Sequence, residues 1–225
     1  MYVEVEHYTK NLRKHKVLND INVRLDGGHI YGIYGRNGSG KSMLLRAISG
    51  LILPSSGSVS IDGKTIGDDI DFPESMGLII ENVQLQRTLT AKENLSVLAK
   101  IKHVASPTDI DWALSAVGLD ANDSVKIRNY SLGMNQKLAI AQAIFEKPDL
   151  ILLDEPTNAL DFQTVVDFRK LIQSLVTPSR IIVIATHSKE DLLELATDFL
   201  EMVDGKLYPR IKEDLIAESS DATAI

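Results

Sequence analysis

The chain has 225 residues, of which 44% are hydrophobic and 24% charged, with a net charge of −7 and a pI near 5.2. This acidic balance argues against nucleic acid as a partner, which usually requires a basic face. The absence of cysteine excludes disulfides, thiolate metal sites and thiol catalysis. No apolar run approaches the roughly 18 residues of a membrane span, and the charged N-terminus is not typical of a signal peptide.

The N-terminal third contains segments typical of antiparallel strands: residues 2–9, 21–30 and 56–64 alternate in polarity or are bounded by turns. Short apolar runs that indicate parallel strands buried on both faces cover residues 30–34, 76–80, 150–153 and 181–185. Helical patterns alternate with these runs at residues 43–50, 109–117, 134–145, 162–175 and 189–196. This alternation predicts an α/β fold with a mainly parallel sheet.

We expect one domain over residues 1–225 with internal subdivisions. Residues 1–84 and 148–215 would form the core, including an N-terminal antiparallel β subdomain. Residues 85–147 are nearly all helical in pattern and lie between two sheet strands, so they predict an inserted helical subdomain. Residues 216–225 are expected to be a polar, frayed tail.

A glycine-rich segment between a predicted strand and a predicted helix carries the strongest chemical signal. Gly35, four further residues, then Gly40, Lys41 and Ser42 match the pattern G-x-x-x-x-G-K-[ST] of a phosphate-binding loop. Glycines let consecutive N–H groups surround an anion, Lys41 would reach the β- and γ-phosphates, and Ser42 would bind Mg²⁺. The predicted nucleotide-binding residues are Gly35, Arg36, Asn37, Gly38, Ser39, Gly40, Lys41, Ser42 and Met43.

Two acidic residues follow the apolar run at 150–153. Asp154, at the end of this predicted strand, is placed to hold Mg²⁺ through water. Glu155 comes next, where a carboxylate can orient or deprotonate an attacking water. Such pairs are common in solvated turns, so this interpretation depends on the phosphate-binding loop upstream.

The segment 129–161 resembles the nucleotide-binding subunit of ABC transporters. The signature of that family, S-G-G-Q, corresponds here to Ser131, Leu132, Gly133 and Met134, of which Leu132 and Met134 depart from the commonest spelling. Asp161 ends a segment similar to the family's D-loop, and His187 follows the last apolar run, where the family has its switch histidine. Ser131 is also a good N-cap, so the helix start behind it offers an anion site.

The resemblance implies a P-loop NTPase core that binds ATP with Mg²⁺ and hydrolyses it. Each ATP would lie between the phosphate-binding loop of one subunit and the signature of another, in a head-to-tail homodimer or heterodimer. Glu155 and His187 would be catalytic, while Ser42, Glu81 and Asp154 would organise the metal. Membrane-spanning permease subunits are the other partners implied, with this chain peripheral on the inner, cytoplasmic face of the cell membrane.

Two positions depart from the family pattern. Glu81 occupies the place where the family usually has Gln, and Gln84 or Gln86 would take that place if the alignment slips. Leu12 stands where an aromatic residue usually stacks on adenine, and Leu12 cannot stack as a ring does. Tyr8 is the nearest aromatic residue, and its position suits a strand edge as well as a stacking role.

The signature segment and the short C-terminal region resemble export systems more than sugar importers, so we expect an exporter. The competing class is a soluble ABC ATPase that acts as a switch or scaffold without a membrane partner. Repair members of that class contain long coiled coils, and translation members fuse two copies; this sequence has neither feature. A P-loop kinase would lack the signature. The transported substrate depends on the permease and is not encoded here.

Overall fold

The computed structural model of the protein describes residues 1–80 and 85–222. Within these residues no helix is long and apolar enough to cross a membrane. The elements in chain order are β1 (Tyr2–Leu12), β2 (His15–Asp26), β3 (His29–Tyr34), α1 (Lys41–Ile48), β4 (Ser56–Ile61), β5 (Lys64–Thr65), β6 (Met76–Ile79), α2 (Ala91–Lys102), α3 (Pro107–Ala116), α4 (Leu132–Ile144), β7 (Leu150–Asp154), α5 (Phe162–Ser174), β8 (Ile181–Thr186), α6 (Lys189–Leu195), β9 (Asp198–Val203), β10 (Lys206–Arg210) and α7 (Lys212–Ala222).

The central sheet has the strand order β10-β9-β3-β8-β7-β6. Its neighbouring strands are parallel except for β10, which is antiparallel to β9. Tyr34 at the end of β3 pairs with Thr186 at the end of β8, and Asp154 at the end of β7 pairs with Ala185. Because the carboxyl ends of parallel strands meet at one edge, the residues that follow β3, β7 and β8 are brought together there.

Each face of this sheet is covered by a separate core, which explains why its strands are apolar on both sides. On β7, Ile151 and Leu153 belong to the core formed with α4, α5 and α6, whereas Leu150 and Leu152 belong to the other core. The second core contains α1 and the inner face of an antiparallel sheet of order β2-β1-β4-β5. The predicted N-terminal strands therefore form a layer over α1.

Helices α2, α3 and α4 lie between β6 and β7, within the segment predicted to be a helical insert. The far end of α4 lies directly on β6, because a Cβ added to Gly77 would come within 1.7 Å of the carbonyl oxygen of Ala143. The helix that begins at the predicted signature is therefore seated against the central sheet at its other end.

The predicted fold, an α/β core with an antiparallel β subdomain and an inserted helical subdomain, is confirmed, with some differences in detail. Helix α1 begins at Lys41 and not at residue 43, because Gly40 with φ +117° starts the helix directly before the lysine. The hairpin of β9 and β10 was not predicted. Helix α7 runs through Ala222, into the predicted tail, and its Leu215, only 1% exposed, packs in the core.

Candidate functional site

The predicted phosphate-binding loop, residues 35–40, joins β3 to α1 at the carboxyl edge of the central sheet. A Cβ added to Gly35 would lie 2.3 Å from the carbonyl oxygen of Met202, so the loop approaches β9 too closely for any side chain. Gly40 has φ +117°, a region that residues with side chains rarely adopt. The unpaired N–H groups at the start of α1 therefore lie next to the loop, where they can bind an anion.

The side chain of Lys41 is buried, with 6% of its surface exposed. Its Nζ donates hydrogen bonds to the carbonyl oxygens of Gly35 at 2.7 Å and Arg36 at 3.3 Å, and it lies 4.0 Å from Oε1 of Glu155. Charge-assisted bonds between an ammonium group and phosphate oxygens are stronger than bonds to neutral carbonyl groups. Lys41 is therefore suited to exchange these carbonyl contacts for a phosphate.

A cleft of about 220 Å³ lies beside Lys41. Ser42 and Asp154 line it and supply oxygen atoms, the ligand type that Mg²⁺ takes. Ser39 is buried, and its hydroxyl has no hydrogen-bond partner among the described residues. These features fit a triphosphate with a magnesium ion. The lining residues are Val17, Asn37, Gly38, Gly40, Lys41, Ser42, Met43, Asp154 and Glu155.

Glu155 is held by the end of β8, the strand that precedes His187. Its N–H donates to the carbonyl oxygen of Ala185 at 2.8 Å, and its Oε2 accepts a hydrogen bond from the hydroxyl of Thr186 at 3.0 Å. Its Oε1 lies 2.9 Å from Nδ1 of His187. An ionised carboxylate can only accept, so Nδ1 carries the proton in this contact. The backbone of Glu155 has φ +48°, a left-handed conformation that is costly for a residue with a side chain.

Thr186 was not among the residues predicted from the sequence. Its hydroxyl ends a strand whose preceding residues, 181–185, are all apolar, directly before His187. A polar group at that position indicates a contact beyond the end of the strand, and this signal could have identified it. The structure thus brings Lys41, Asp154, Glu155 and His187 together at one edge of the sheet and adds Thr186.

The predicted signature lies at the start of α4, where Ser131 is the N-cap and its Oγ accepts a hydrogen bond from the N–H of Met134 at 3.1 Å. Leu132 is 71% exposed. A Cβ added to Gly133 would lie 3.1 Å from the carbonyl oxygen of Ala159, so the signature touches the D-loop of its own chain. The exposed helix start leaves N–H groups that can bind an anion approaching from outside the chain.

Asp161 ends the D-loop and caps α5. Its carboxylate accepts hydrogen bonds from the N–H and the hydroxyl of Thr164 at 2.9 and 3.0 Å. These bonds, with a smaller contribution from the charge of Lys137, lower the pKa of Asp161 below its usual range. Phe162, the next residue, is 81% exposed. Large apolar side chains therefore stand exposed at the starts of both helices, α4 and α5, that flank the D-loop.

The predicted third metal residue is not placed by the structure, because Glu81 and its alternative Gln84 lie outside the described residues. The other alternative, Gln86, is exposed, and its backbone N–H and carbonyl bond the side chain of Asn94. Within the described part of the chain, no group of three or more His, Asp or Glu side chains could hold a metal ion.

The structure excludes Tyr8 as the residue that stacks on adenine. Its side chain is fully buried and its hydroxyl donates to the carbonyl oxygen of Ile52 at 2.9 Å. Burial raises the pKa of Tyr8 to about 12. Tyr8 is therefore a core residue, whereas Leu12 at the end of β1 is 44% exposed.

A profile of the ABC transporter family matches residues 18–158 of the chain. The chain belongs to this family. It is 49% identical over 205 residues to YybJ of Bacillus subtilis (strain 168), an uncharacterized ABC transporter ATP-binding protein, covering 91% of this chain and 94% of the relative. It is 35% identical over 214 residues to the bacitracin transport ATP-binding protein BcrA of Bacillus licheniformis, covering 94% of this chain and 70% of the relative. It is 32% identical over 207 residues to the lantibiotic transport ATP-binding protein SrtF of Streptococcus pyogenes, covering 91% and 88%.

Solved structures of ABC proteins share this fold. The dimeric post-hydrolysis state of the ATP-binding cassette MJ0796, bound to ADP and phosphate, superposes with a TM-score of 0.82 at 24% identity, covering 92% of this chain and 97% of that one. A bacterial Atm1-family ABC exporter with ATP bound gives 0.85 at 21% identity, covering 97% of this chain and 40% of that one. The identification as an ABC ATPase, made above from the motifs, is confirmed.

Proposed function

We propose that this ABC ATPase powers an exporter, working as a pair of subunits docked on membrane-spanning permease subunits at the cytoplasmic face of the membrane. One observation carries this proposal: the phosphate-binding residues and Glu155 share one cleft, while the signature begins a separate helix beside the D-loop and does not line that cleft. The signature is thus a second site that can bind phosphate, separate from the cleft at Lys41. Two separate sites of this kind suit a nucleotide shared between two chains. The relatives named for bacitracin transport and lantibiotic transport support a role in transport.

In the proposed reaction, Lys41 pairs with the β- and γ-phosphates, and Ser42 and Asp154 would hold Mg²⁺, which would neutralise charge on the phosphate oxygens. Glu155 accepts a proton from water as the water oxygen bonds to the γ-phosphorus. The bond from this phosphorus to the bridging oxygen breaks, and ADP and phosphate are the products. His187 keeps the carboxylate of Glu155 oriented through Nδ1.

The proposed helical subdomain, residues 85–147, would place Ser131 and Gly133 on the nucleotide of the partner subunit. We expect Ser131→Arg to abolish hydrolysis and leave the ATP affinity of the monomer unchanged, because the arginine blocks only the partner's site. Ser106→Arg is the matched control, since Ser106 also caps an exposed helix start in this subdomain. Loss of either cap costs about 1 kcal/mol, so the two variants should be equally stable.

Mixing subunits tests the shared site directly. A Ser131→Arg subunit mixed with a Lys41→Ala subunit should recover hydrolysis, because one of the two shared sites then has an intact loop and an intact signature. If Ser131→Arg destroyed ATP binding by the isolated monomer, the head-to-tail arrangement would be wrong. The transport role requires that the tagged chain co-purify with a polytopic membrane protein, and its recovery without one would favour a soluble switch.

A further inference from the structure

Helix α6 follows His187. Its Asp191 occupies the third position of a capping box but does not make the side-chain bond that a capping box requires. Ser188 is the N-cap of α6, and its Oγ accepts a hydrogen bond from the N–H of Asp191 at 3.3 Å. In a complete capping box the acidic side chain returns to the N-cap N–H, as Asp109 does to Ser106 at 2.9 Å in α3. In α6 the N–H of Ser188 donates instead to Oγ1 of Thr186 at 3.1 Å, which leaves the carboxylate of Asp191 for other contacts.

Both oxygens of that carboxylate bind other segments of the chain. Oδ1 of Asp191 accepts a hydrogen bond from Nη2 of Arg169 in α5 at 2.5 Å, and Oδ2 accepts one from the hydroxyl of Thr157 at 3.1 Å. The side chains of Arg169 and Asp191 are each 22% exposed, so water only partly screens this ion pair. Thr157 lies two residues after Glu155. Asp191 therefore ties the segment that leaves Glu155 to the helix that follows His187.

These bonds close a ring that contains Glu155. Its Oε2 accepts from the hydroxyl of Thr186, Oγ1 of Thr186 accepts from the N–H of Ser188, and Oγ of Ser188 accepts from the N–H of Asp191. The bond from Thr157 to Asp191 returns the ring to Glu155 along the backbone. The side chain of His187 is 56% exposed, so packing alone does not hold it against Glu155.

We propose that Asp191 is a positioning residue for ATP hydrolysis, which keeps Glu155 and His187 aligned by joining Thr157 to α6. This inference rests on the proposed function, in which Glu155 activates water. Asp191 acts through the segments that carry the two catalytic residues. A misplacement of about 1 Å at a reacting group lowers a rate about 100-fold, and loosening one bond of the ring should move the carboxylate by less than that.

The sharpest variant is Thr157→Val, which removes the bond to Oδ2 and leaves the ion pair of Arg169 and Asp191 in place. We expect its kcat to fall about tenfold while the KM for ATP stays within about twofold of wild type. The kcat of Asp191→Asn should also fall, because this change removes the negative charge that pairs with Arg169, although the amide can still bond the hydroxyl of Thr157. Glu201→Gln is the matched control: Glu201 accepts from Arg210 at the same 2.5 Å and is 26% exposed, but it lies in the hairpin of β9 and β10.

The activity of a double variant that combines Thr157→Val with His187→Ala distinguishes a positioning role from a general loss of stability. Thr157→Val and His187→Ala both disturb the alignment of Glu155, so the double variant should lose less activity than the product of the two single losses. The inference is overturned if the kcat of Thr157→Val stays within about twofold of wild type. It is also overturned if the losses of the two single variants multiply in the double variant, or if the thermal midpoint of Thr157→Val falls below that of Glu201→Gln. Failure of the proposed function would look different, because Glu155→Gln would then retain hydrolysis. If Asp191→Asn does not fold, Thr157→Val still decides the question.

Discussion

Glu155→Gln replaces one oxygen of the carboxylate that lies between Thr186 and His187. Glutamine keeps the shape and keeps an oxygen that can accept from Thr186, so the folded protein loses about one hydrogen bond, worth about 1 kcal/mol. The same change removes the proton acceptor for water, and a general base contributes about two to four orders of magnitude in rate. That factor corresponds to about 3–5 kcal/mol, so the chemical effect outweighs the structural one.

We expect the variant to bind ATP with near wild-type affinity, since Lys41 and the phosphate-binding loop are unchanged. Phosphate release should fall about 100- to 10,000-fold. An ATP-bound dimer should accumulate in gel filtration, because the nucleotide that closes it is no longer consumed. Glu190→Gln makes the same chemical change at an exposed position in the first turn of α6 and should turn over like wild type.

Two results would refute this reasoning. A Glu155→Gln protein that kept more than about one tenth of wild-type turnover would place the general base elsewhere. A parallel loss of ATP affinity would show that the 4.0 Å contact between Lys41 and Glu155 supports nucleotide binding, and that binding and chemistry are not separable at this residue.

Glu81→Gln should bind metal-free ATP better than wild type and lose little turnover at saturating Mg²⁺, because the carboxylate repels the triphosphate while the amide oxygen can still bind the metal. If wild type and Glu81→Gln gave the same ATP titration curves both with and without Mg²⁺, the role of Glu81 as a metal ligand would be excluded. Phe162→Ser should weaken the ATP-bound dimer of a hydrolysis-deficient protein in gel filtration, whereas Val203→Ser, also at an exposed apolar residue, should leave it intact. Gly77→Ala should lower the thermal midpoint by several degrees, since its methyl group would overlap the carbonyl of Ala143, and an unchanged midpoint would mean that α4 moves freely.

The residues of the candidate ATP site stand out in the sequence because their chemistry depends on local spacing. A strand, a glycine-rich loop and a helix that begins at Lys41 are consecutive in the chain, and an acidic residue at the end of an apolar strand is equally local. Thr157 and Asp191 could not be predicted in this way, because they are 34 residues apart and meet only in the folded protein. The pattern from Ser188 to Asp191 predicts a capping box, but the carboxylate of Asp191 bonds Thr157 and Arg169 instead.

Other differences have equally specific causes. The burial of Tyr8 does not follow from the sequence because alternation along β1 is broken: Val3, Val5 and Tyr8 are all buried, and the pairing with β2 shifts register between Val5 and Tyr8. A bulge of this kind reverses which residues face the core. The hairpin of β9 and β10 did carry a signal, Asp204 followed by Gly205, both with positive φ, as such turns require.

The left-handed backbone of Glu155 also bears on how this protein would respond to selection in the laboratory. A residue with a side chain loses about 1–2 kcal/mol in that conformation, and asparagine tolerates it better. Whole domains are stable by only about 5–15 kcal/mol, so relief at this single position is a sizeable gain. A screen for heat resistance alone would therefore favour substitutions at this position whose backbone relief exceeds the loss of the bonds to Thr186 and His187, and each of them removes the carboxylate that the proposed mechanism uses. Thermostable variants of this ATPase should be sought only with turnover scored in the same assay.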